Sequence, residues 1–185
     1  MNKKHLAAYA AVAVLFGVMG AVVALYKKPA PSTPTTVASA SQATDPATNL
    51  YAQTLKDLEG KPQPLAQWKG KPLLVNFWAT WCGPCVREMP ELAHLAEEDG
   101  GKRFNVIGIG IDSVTNMSEF AAKMKIPYPL YEGGMGGTEL SRGFGNTNGG
   151  LPYTVLIGAD GQVIKTYLGE LKFDELRADL AKLGT

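Results

Sequence analysis

The chain has 185 residues, with 18 lysines and arginines against 17 acidic residues, and its formal charge is +1. This length allows one well-packed domain with an appendage, and the near balance of charge does not indicate a nucleic-acid partner. The two cysteines are too few for a disulfide-rich scaffold.

The first apolar segment, residues 6–26, contains no charged side chain. A helix rises about 1.5 Å per residue, so a segment of this length spans roughly 30 Å, the thickness of the hydrocarbon core of a bilayer. We interpret it as an uncleaved transmembrane anchor, preceded by a short cytoplasmic leader of residues 1–5. The alternative is a cleaved signal peptide that ends at the A-x-A sequence of residues 38–40.

Residues 27–50 are rich in proline, serine, threonine and alanine and have no apolar periodicity, which predicts a linker. The globular domain is then expected to comprise residues 51–185. Weak alternation over residues 54–58 and a turn at residues 59–62 predict a short hairpin, followed by a helical turn at Leu65–Trp68.

Both cysteines lie in the stretch LLVNFWATWCGPCVREMP, residues 73–90. The apolar run at its start predicts a buried strand over residues 73–79, and apolar residues at helical spacing predict a helix over residues 84–98. The C-x-x-C pair therefore falls at a strand-to-helix junction, with Cys82 at the helix N-terminus and Cys85 one turn further on.

This placement favours thiol chemistry. A free thiol with a pKa near 8.5 is only roughly 3% ionised at pH 7, whereas in C-x-x-C motifs the pKa can fall to about 7. The unpaired N–H groups and the positive end of a helix stabilise a thiolate at this position. We expect Cys82 to attack a partner disulfide and Cys85 to resolve the mixed disulfide that results.

Three other interpretations of the cysteine pair exist. A structural disulfide is one, although closing so short a loop gains little chain entropy. A zinc site needs four ligands, and the chain offers only His5 and His94 beside the two cysteines, so no metal site is predicted. The third is a pair of inert core cysteines, which the Gly-Pro spacer disfavours.

The rest of the domain follows a regular order of predicted elements. They are a strand at 104–111, a helix at 118–125, an edge or irregular segment at 126–131, a glycine loop at 133–137, a short helix at 138–144, a flexible loop at 145–150, strands at 154–157 and Val163–Leu168 joined by a turn at 159–162, and an amphipathic helix at 173–183. After the hairpin, the regular elements read β-α-β-α-β-β-α.

Residues 76–85, NFWATWCGPC, resemble the active-site segment of the thioredoxin superfamily. Residues 51–185 resemble the TlpA/ResA/CcmG group of membrane-anchored, extracytoplasmic thiol–disulfide oxidoreductases. The resemblance implies a thioredoxin-like α/β fold: a central mixed β-sheet flanked by helices, with an N-terminal hairpin extension and a central insert, here preceded by one transmembrane helix. It also implies a bacterial inner-membrane location with the catalytic domain on the periplasmic side.

The resemblance implies roles for individual residues. Cys82 would be the nucleophile and Cys85 the resolving cysteine. The redox-active group would be their disulfide, and no cofactor is expected. Pro90 would kink the first long helix, and Pro152 would be a cis-proline facing the disulfide. The residues expected to contact substrate are Trp81, Gly83, Pro84, Leu151 and Pro152.

Glu88 matches a glutamate that this group carries just after its C-x-x-C motif. Thioredoxin itself has a buried acid in the preceding strand, where this chain has Asn76, which cannot accept a proton. We therefore expect Glu88 to be partly buried and to exchange protons with Cys85. The alternative is a glutamate that simply faces solvent in the first turns of the helix.

The expected partners are protein disulfides or dithiols, with a thiol protein of the membrane as electron donor. The resemblance suggests apocytochrome c or a copper-site assembly protein as recipient, and nothing in the sequence indicates an obligate oligomer, so a monomer is expected. Two alternatives stay open: a redox-responsive module that binds a client or a metal without turnover, and an oxidant rather than a reductant.

Overall fold

The computed structural model describes residues 45–99 and 101–184. Along the chain these residues form α1 (Pro46–Tyr51), β1 (Thr54–Asp57), β2 (Pro62–Pro64), β3 (Leu73–Trp78), α2 (Gly83–Asp99), β4 (Asn105–Gly110), α3 (Val114–Met124), β5 (Leu130–Glu132), α4 (Gly134–Gly143), β6 (Tyr153–Ile157), β7 (Val163–Leu168) and α5 (Phe173–Ala181). Short 3-10 helices cover Leu65–Trp68 and Lys182–Gly184. The predicted leader and anchor lie outside the described residues, and within these two ranges no helix is long and apolar enough to cross a membrane.

The strands of the described part form one mixed sheet in the order β2-β1-β5-β4-β3-β6-β7. The central strand β3 runs parallel to β4 and antiparallel to β6. Every residue of β3 is buried, as the continuous apolar run of the sequence predicts. The predicted central mixed sheet with flanking helices is thus confirmed, and β5 and α4 lie between α3 and β6 along the chain.

Alternate residues of β3 contribute to two apolar clusters, because successive side chains of a strand point to opposite faces. Leu74 and Trp78 pack with α2, α3 and α5 on one face. Leu73, Val75 and Phe77 pack with α1 and α4 on the other. The sheet is therefore covered on both sides, and the start of α2 lies at the carboxyl end of its central strand.

The C-terminal end of the predicted linker is a helix, so the predicted boundary at residue 50 is wrong. Asp45 accepts a hydrogen bond from the N–H of Thr48 at 2.9 Å, and Pro46 occupies the first turn of α1. Ala47 and Leu50 are 1% and 0% exposed and belong to the core. The remainder of the predicted linker lies outside the described residues.

The predicted N-terminal hairpin is confirmed. The segment that joins this hairpin to the rest of the sheet differs in part from its prediction. Residues 126–131 are predicted to be an edge or irregular segment. Residues 126–129 are irregular, but Leu130–Glu132 form β5, which lies between β4 and β1 and pairs with both. Pro127 and Pro129 precede the strand, so their missing N–H groups remove no hydrogen bond from it.

The predicted glycine loop at residues 133–137 is largely the first turn of α4, which is a further correction. A Cβ placed on Gly133 would lie 2.5 Å from Cγ2 of Ile109 and 3.1 Å from the carbonyl oxygen of Gly110. Glycine therefore lets the helix start closer to β4 than any larger residue would. Similarly, α3 begins at Val114 rather than residue 118, because Ser113 caps it by accepting from the N–H of Asn116 at 3.2 Å.

Candidate active site

Cys82 and Cys85 form a disulfide with their Cα atoms 5.3 Å apart. Cys82 directly precedes α2 and is 6% exposed, whereas Cys85 lies within the helix and is 0% exposed. The backbone N–H of Cys85 donates to Sγ of Cys82 at 3.3 Å. The sulfur that is closer to solvent is therefore also the one that receives a helix N–H group.

The junction that carries the disulfide is held by local hydrogen bonds. The N–H of Cys82 donates to the carbonyl of Ala79 at 3.2 Å, and the carbonyl of Cys82 accepts from Val86 at 3.1 Å. Asp112, just after β4, accepts from both the N–H (3.1 Å) and the hydroxyl of Thr80. The loop between β3 and α2 is thus attached to the neighbouring strand, a contact that the sequence analysis did not predict.

Glu88 is 1% exposed and lies on the inner face of α2. Its Oε1 accepts from Nδ2 of Asn76 at 2.8 Å, and its Oε2 accepts from the N–H of Leu171 at 2.8 Å. Nδ2 of Asn76 also donates to Oγ1 of Thr154 at 3.0 Å, so β3 and β6 both contribute to this network. The expectation of burial is confirmed, and the solvent-facing alternative is wrong.

Burial raises the pKa of Glu88 from its ordinary value of 4.5 to about 7. The hydrogen bonds from Leu171 and Asn76 act in the opposite direction by stabilising the carboxylate, and the charge of Glu170 adds a smaller rise. The pKa of Glu88 therefore lies where the carboxyl group changes its protonation state near neutral pH.

The other predicted site residues differ in their exposure. Trp81 is 68% exposed. Gly83 is exposed, and Pro84 and Leu151 are half-buried. The bond between Leu151 and Pro152 is cis, as the resemblance implies. All of these residues lie in the loop and first turn at the cysteines or at the start of β6.

Two further contacts around the site were missed by the sequence analysis. Asn146 is buried, and its side chain accepts from the N–H of Gly150 at 3.0 Å and donates to its carbonyl at 2.9 Å, which closes the loop before Leu151. The loop at residues 145–150, which the sequence predicts to be flexible, is thus held by two hydrogen bonds within the loop. After β7, Gly169 donates its N–H to the carbonyl of Pro152 at 2.9 Å. An asparagine among glycines signals a turn, but neither partner can be predicted from local sequence.

No group of three or more histidine, cysteine, aspartate or glutamate side chains in residues 45–99 and 101–184 is placed to hold a metal ion. His94, a possible zinc ligand in the sequence, is 61% exposed in its side chain and lies 3.2 Å from Glu98 on the same helix. It is not part of the cysteine site.

The sheet, the disulfide at the start of α2 and the cis-proline before β6 define a protein of thioredoxin-like fold with a dithiol–disulfide site. Residues 28–180 match the Redoxin family, and the chain belongs to this family.

Similar proteins of known name indicate which kind of thioredoxin-like protein this is. The thiol-disulfide oxidoreductase ResA of Bacillus thuringiensis subsp. konkukian is 34% identical over 130 residues, which are 69% of this chain and 72% of that protein. The structure of a thioredoxin-related protein from Neisseria meningitidis serogroup B is 29% identical, with a TM-score of 0.62, over 70% of this chain and 98% of that one. A secreted Mycobacterium tuberculosis disulfide oxidoreductase, described as homologous to Escherichia coli DsbE, has 25% identity and a TM-score of 0.62 over 73% and 98% of the two chains.

These similarities agree with the resemblance to the TlpA/ResA/CcmG group, and this protein is a thiol:disulfide oxidoreductase of that kind, with protein thiols as its substrate class.

Proposed function

We propose that this protein reduces disulfides of other proteins outside the cytoplasm, with Cys82 as nucleophile and Cys85 as resolving cysteine. The observation that carries the proposal is the asymmetry of the two sulfurs. Sγ of Cys82 is nearer to solvent and accepts the N–H of Cys85 at 3.3 Å, whereas Cys85 is fully buried. A thiolate on Cys82 would keep this donor and the positive end of α2.

In the proposed reaction, the Cys82 thiolate attacks one sulfur of the client disulfide and the other client sulfur leaves as a thiolate, which takes up a proton. Cys85 then loses its proton and attacks Sγ of Cys82, which releases the second client sulfur and forms the Cys82–Cys85 disulfide. The client gains two electrons and two protons, and the enzyme is oxidised. A membrane thiol donor would return the enzyme to the dithiol form.

Glu88 is proposed to take the proton that Cys85 loses. It lies three residues after Cys85 on α2, a spacing that places both side chains on the same face of the helix. Because burial raises the pKa of Glu88 to about 7, a large fraction of the carboxyl group is ionised at neutral pH and can accept a proton. Asn76, in the position of the acid in thioredoxin, donates to this carboxyl group and cannot replace it.

The client is proposed to lie over Trp81, Gly83 and Pro84 on one side and over Leu151 and Pro152 on the other. The exposure of the Trp81 side chain, 68%, supports this proposal, because an aromatic ring at a redox site offers a surface for an apolar residue beside the client cysteine. The carbonyl of Pro152 already accepts from Gly169, so a client strand would pair with the backbone of Leu151 instead.

The chain is proposed to reach its clients from a membrane. Residues 6–26 would be the anchor, residues 1–5 a cytoplasmic leader, and the residues between the anchor and α1 a linker to a monomeric redox domain on the periplasmic side of a bacterial inner membrane. Apocytochrome c and copper-site assembly proteins are the proposed recipients. The Cys82–Cys85 disulfide is the proposed redox-active group, and no cofactor is proposed.

Turnover of insulin with dithiothreitol by the full-length protein tests the proposal. We expect Cys82→Ser to abolish turnover and Cys85→Ser to accumulate a mixed disulfide, whereas His94→Gln, on the exposed face of α2, keeps the wild-type rate. Binding of clients without turnover would instead establish the redox-responsive binding module.

The reduction potential of the Cys82–Cys85 couple tests the direction of transfer. The Gly-Pro spacer is that of thioredoxin, so we expect a value near −270 mV. A value near −120 mV would make the protein an oxidant.

A further inference from the structure

Residues 169–171 follow β7, and we call them the 169–171 segment. Each of them forms a hydrogen bond with a residue of α2 or with Pro152. The N–H of Gly169 donates to the carbonyl of Pro152 at 2.9 Å. The carboxylate of Glu170 accepts from Nε and Nη2 of Arg87 at 3.1 and 2.6 Å. The N–H of Leu171 donates to Oε2 of Glu88 at 2.8 Å.

We propose that the 169–171 segment is a positioning element that connects the Pro152 edge of the site to the Glu88 carboxyl group, and that the Arg87–Glu170 ion pair holds it in place. The proposal rests on the proposed function, because Glu88 matters to catalysis only if it exchanges protons with Cys85. It assigns a role in the site to residues that lie far from the cysteine motif along the chain.

The backbone explains why the segment needs to be held. Gly169 has a φ of 86°, in the left-handed region that glycine adopts without strain, and this turn directs the chain from the end of β7 back towards α2. The segment lies between β7 and α5 and belongs to neither, so the hydrogen bonds of a helix or strand do not fix Glu170 and Leu171. Its side chains are attached to α2 in two ways: Leu171 is buried in the apolar cluster that contains residues of α2, and Glu170 forms the exposed ion pair with Arg87.

The position of Leu171 matters because Glu88 has few other donors. Its Oε1 is bound by Asn76, which is itself held by Thr154, and its Oε2 is bound by the N–H of Leu171. A buried carboxylate that loses one of two donors is harder to ionise. A shift of the segment would therefore change the protonation of Glu88 without any change at the cysteines.

Two titratable groups on other segments, Glu170 and Tyr128, interact electrostatically with Glu88. Glu170 lies on the segment itself, and its charge adds to the rise in the pKa of Glu88. Tyr128, before β5, is buried, and its own pKa is raised by burial and then by the charge of Glu88. Asn76 and Thr154, on β3 and β6, do not titrate. The disulfide does not titrate in the oxidised protein.

Arg87→Gln tests the proposal, because the Arg87 side chain is 61% exposed and its loss does not disturb the core. The variant removes the ion-pair attachment of the segment, while Leu171 stays buried, and it leaves the charge of Glu170 without its partner. We expect both effects to raise the pKa of Glu88. We expect the Glu88 carboxyl resonance of the oxidised full-length protein in micelles to titrate at a higher pH than in wild type. We also expect the Leu171 amide to exchange with solvent about two- to fivefold faster, which is the range for loss of an exposed ion pair.

Glu175→Gln is the control, since the Glu175 side chain is 48% exposed and forms an ion pair with Lys165 of β7 at 2.6 Å, and Lys165 keeps a second partner in Asp179. It should change neither readout. The charge-reversed double variant, Arg87→Glu with Glu170→Arg, restores a pair across the same gap and should return the exchange of Leu171 to the wild-type rate.

Unchanged exchange at Leu171 in Arg87→Gln would overturn the proposal even if the titration of Glu88 moved, because the ion pair would then act through charge alone. Failure of the double variant to restore protection would overturn it too. These measurements use the oxidised protein, in which no thiol reacts. The proposed proton exchange between Glu88 and Cys85 is tested by a different measurement, the pH profile of Cys82 alkylation. If Glu88 has no such role, this profile will be the same in Glu88→Gln as in wild type.

Discussion

Replacement of Glu88 by glutamine should change how the stability of the oxidised protein depends on pH. The carboxyl group is 1% exposed, and burial raises its pKa from 4.5 to about 7 in the folded protein. Between these two values the folded protein holds a proton on Glu88 that the unfolded chain has released. The free energy of unfolding must therefore fall as the pH rises through this window.

The size of the effect follows from the two pKa values. A rise from 4.5 to about 7 corresponds to about 3 kcal/mol of lost stability when Glu88 is fully ionised, at about 1.4 kcal/mol per pH unit. The loss is complete only above the folded-state pKa, and roughly 2.5 kcal/mol of it falls between pH 5 and pH 8. Glutamine keeps the shape of the side chain and an acceptor for the N–H of Leu171, but it does not titrate.

Urea unfolding of the oxidised protein at pH 5 and pH 8 measures the effect. The free energy of unfolding of wild type should fall by about 2.5 kcal/mol more than that of Glu88→Gln between these pH values. Glu97→Gln, at an exposed position on α2, serves as control and should follow wild type. Parallel behaviour of wild type and Glu88→Gln would refute the claim that Glu88 is buried with a raised pKa.

Two further substitutions test the corrected parts of the fold by urea unfolding. Leu50→Ala should cost about 2–5 kcal/mol, because Leu50 of α1 is fully buried, whereas Leu168→Ala, at a position 66% exposed, should cost less than about 0.5 kcal/mol. A negligible effect of Leu50→Ala would show that α1 is not part of the cooperative core. Gly133→Ala should cost about 1–3 kcal/mol through its contact with Ile109, but Gly136→Ala, with no atom within 4 Å of its Cβ, should be neutral or slightly stabilising. Equal losses from the two glycine variants would contradict the close approach of α4 to the sheet.

The elements that the sequence predicts correctly depend on residues that are close together along the chain. β3 is a continuous apolar run, and α2 has apolar residues at helical spacing. The C-x-x-C motif lies between them, so the junction and the placement of Cys82 before the helix follow from neighbours along the chain. The hairpin and the Leu65–Trp68 turn also depend on short-range signals and were predicted correctly.

Predictions were wrong where the outcome depends on distant segments. The composition of residues 46–50 is that of a linker, yet α1 is stabilised by burial of Leu50 against a sheet formed much later in the chain. Prolines before β5 indicate an edge, but the hairpin pairs with its free side. Glycines at the start of α4 indicate a loop, whereas the lack of a side chain at Gly133 serves close packing against Ile109.

The sequence by itself determined the redox chemistry of this protein, because a thiol pair at a strand-to-helix junction is specified by residues adjacent in the chain. The tertiary structure decided the surroundings of Glu88. Its donors come from Asn76 and from Leu171, 12 residues before it and 83 after it, and both lower its pKa, whereas its burial raises the pKa. Burial is a property of the assembled sheet and helices, so local periodicity indicates which face of α2 points inward but not what the carboxyl group meets there.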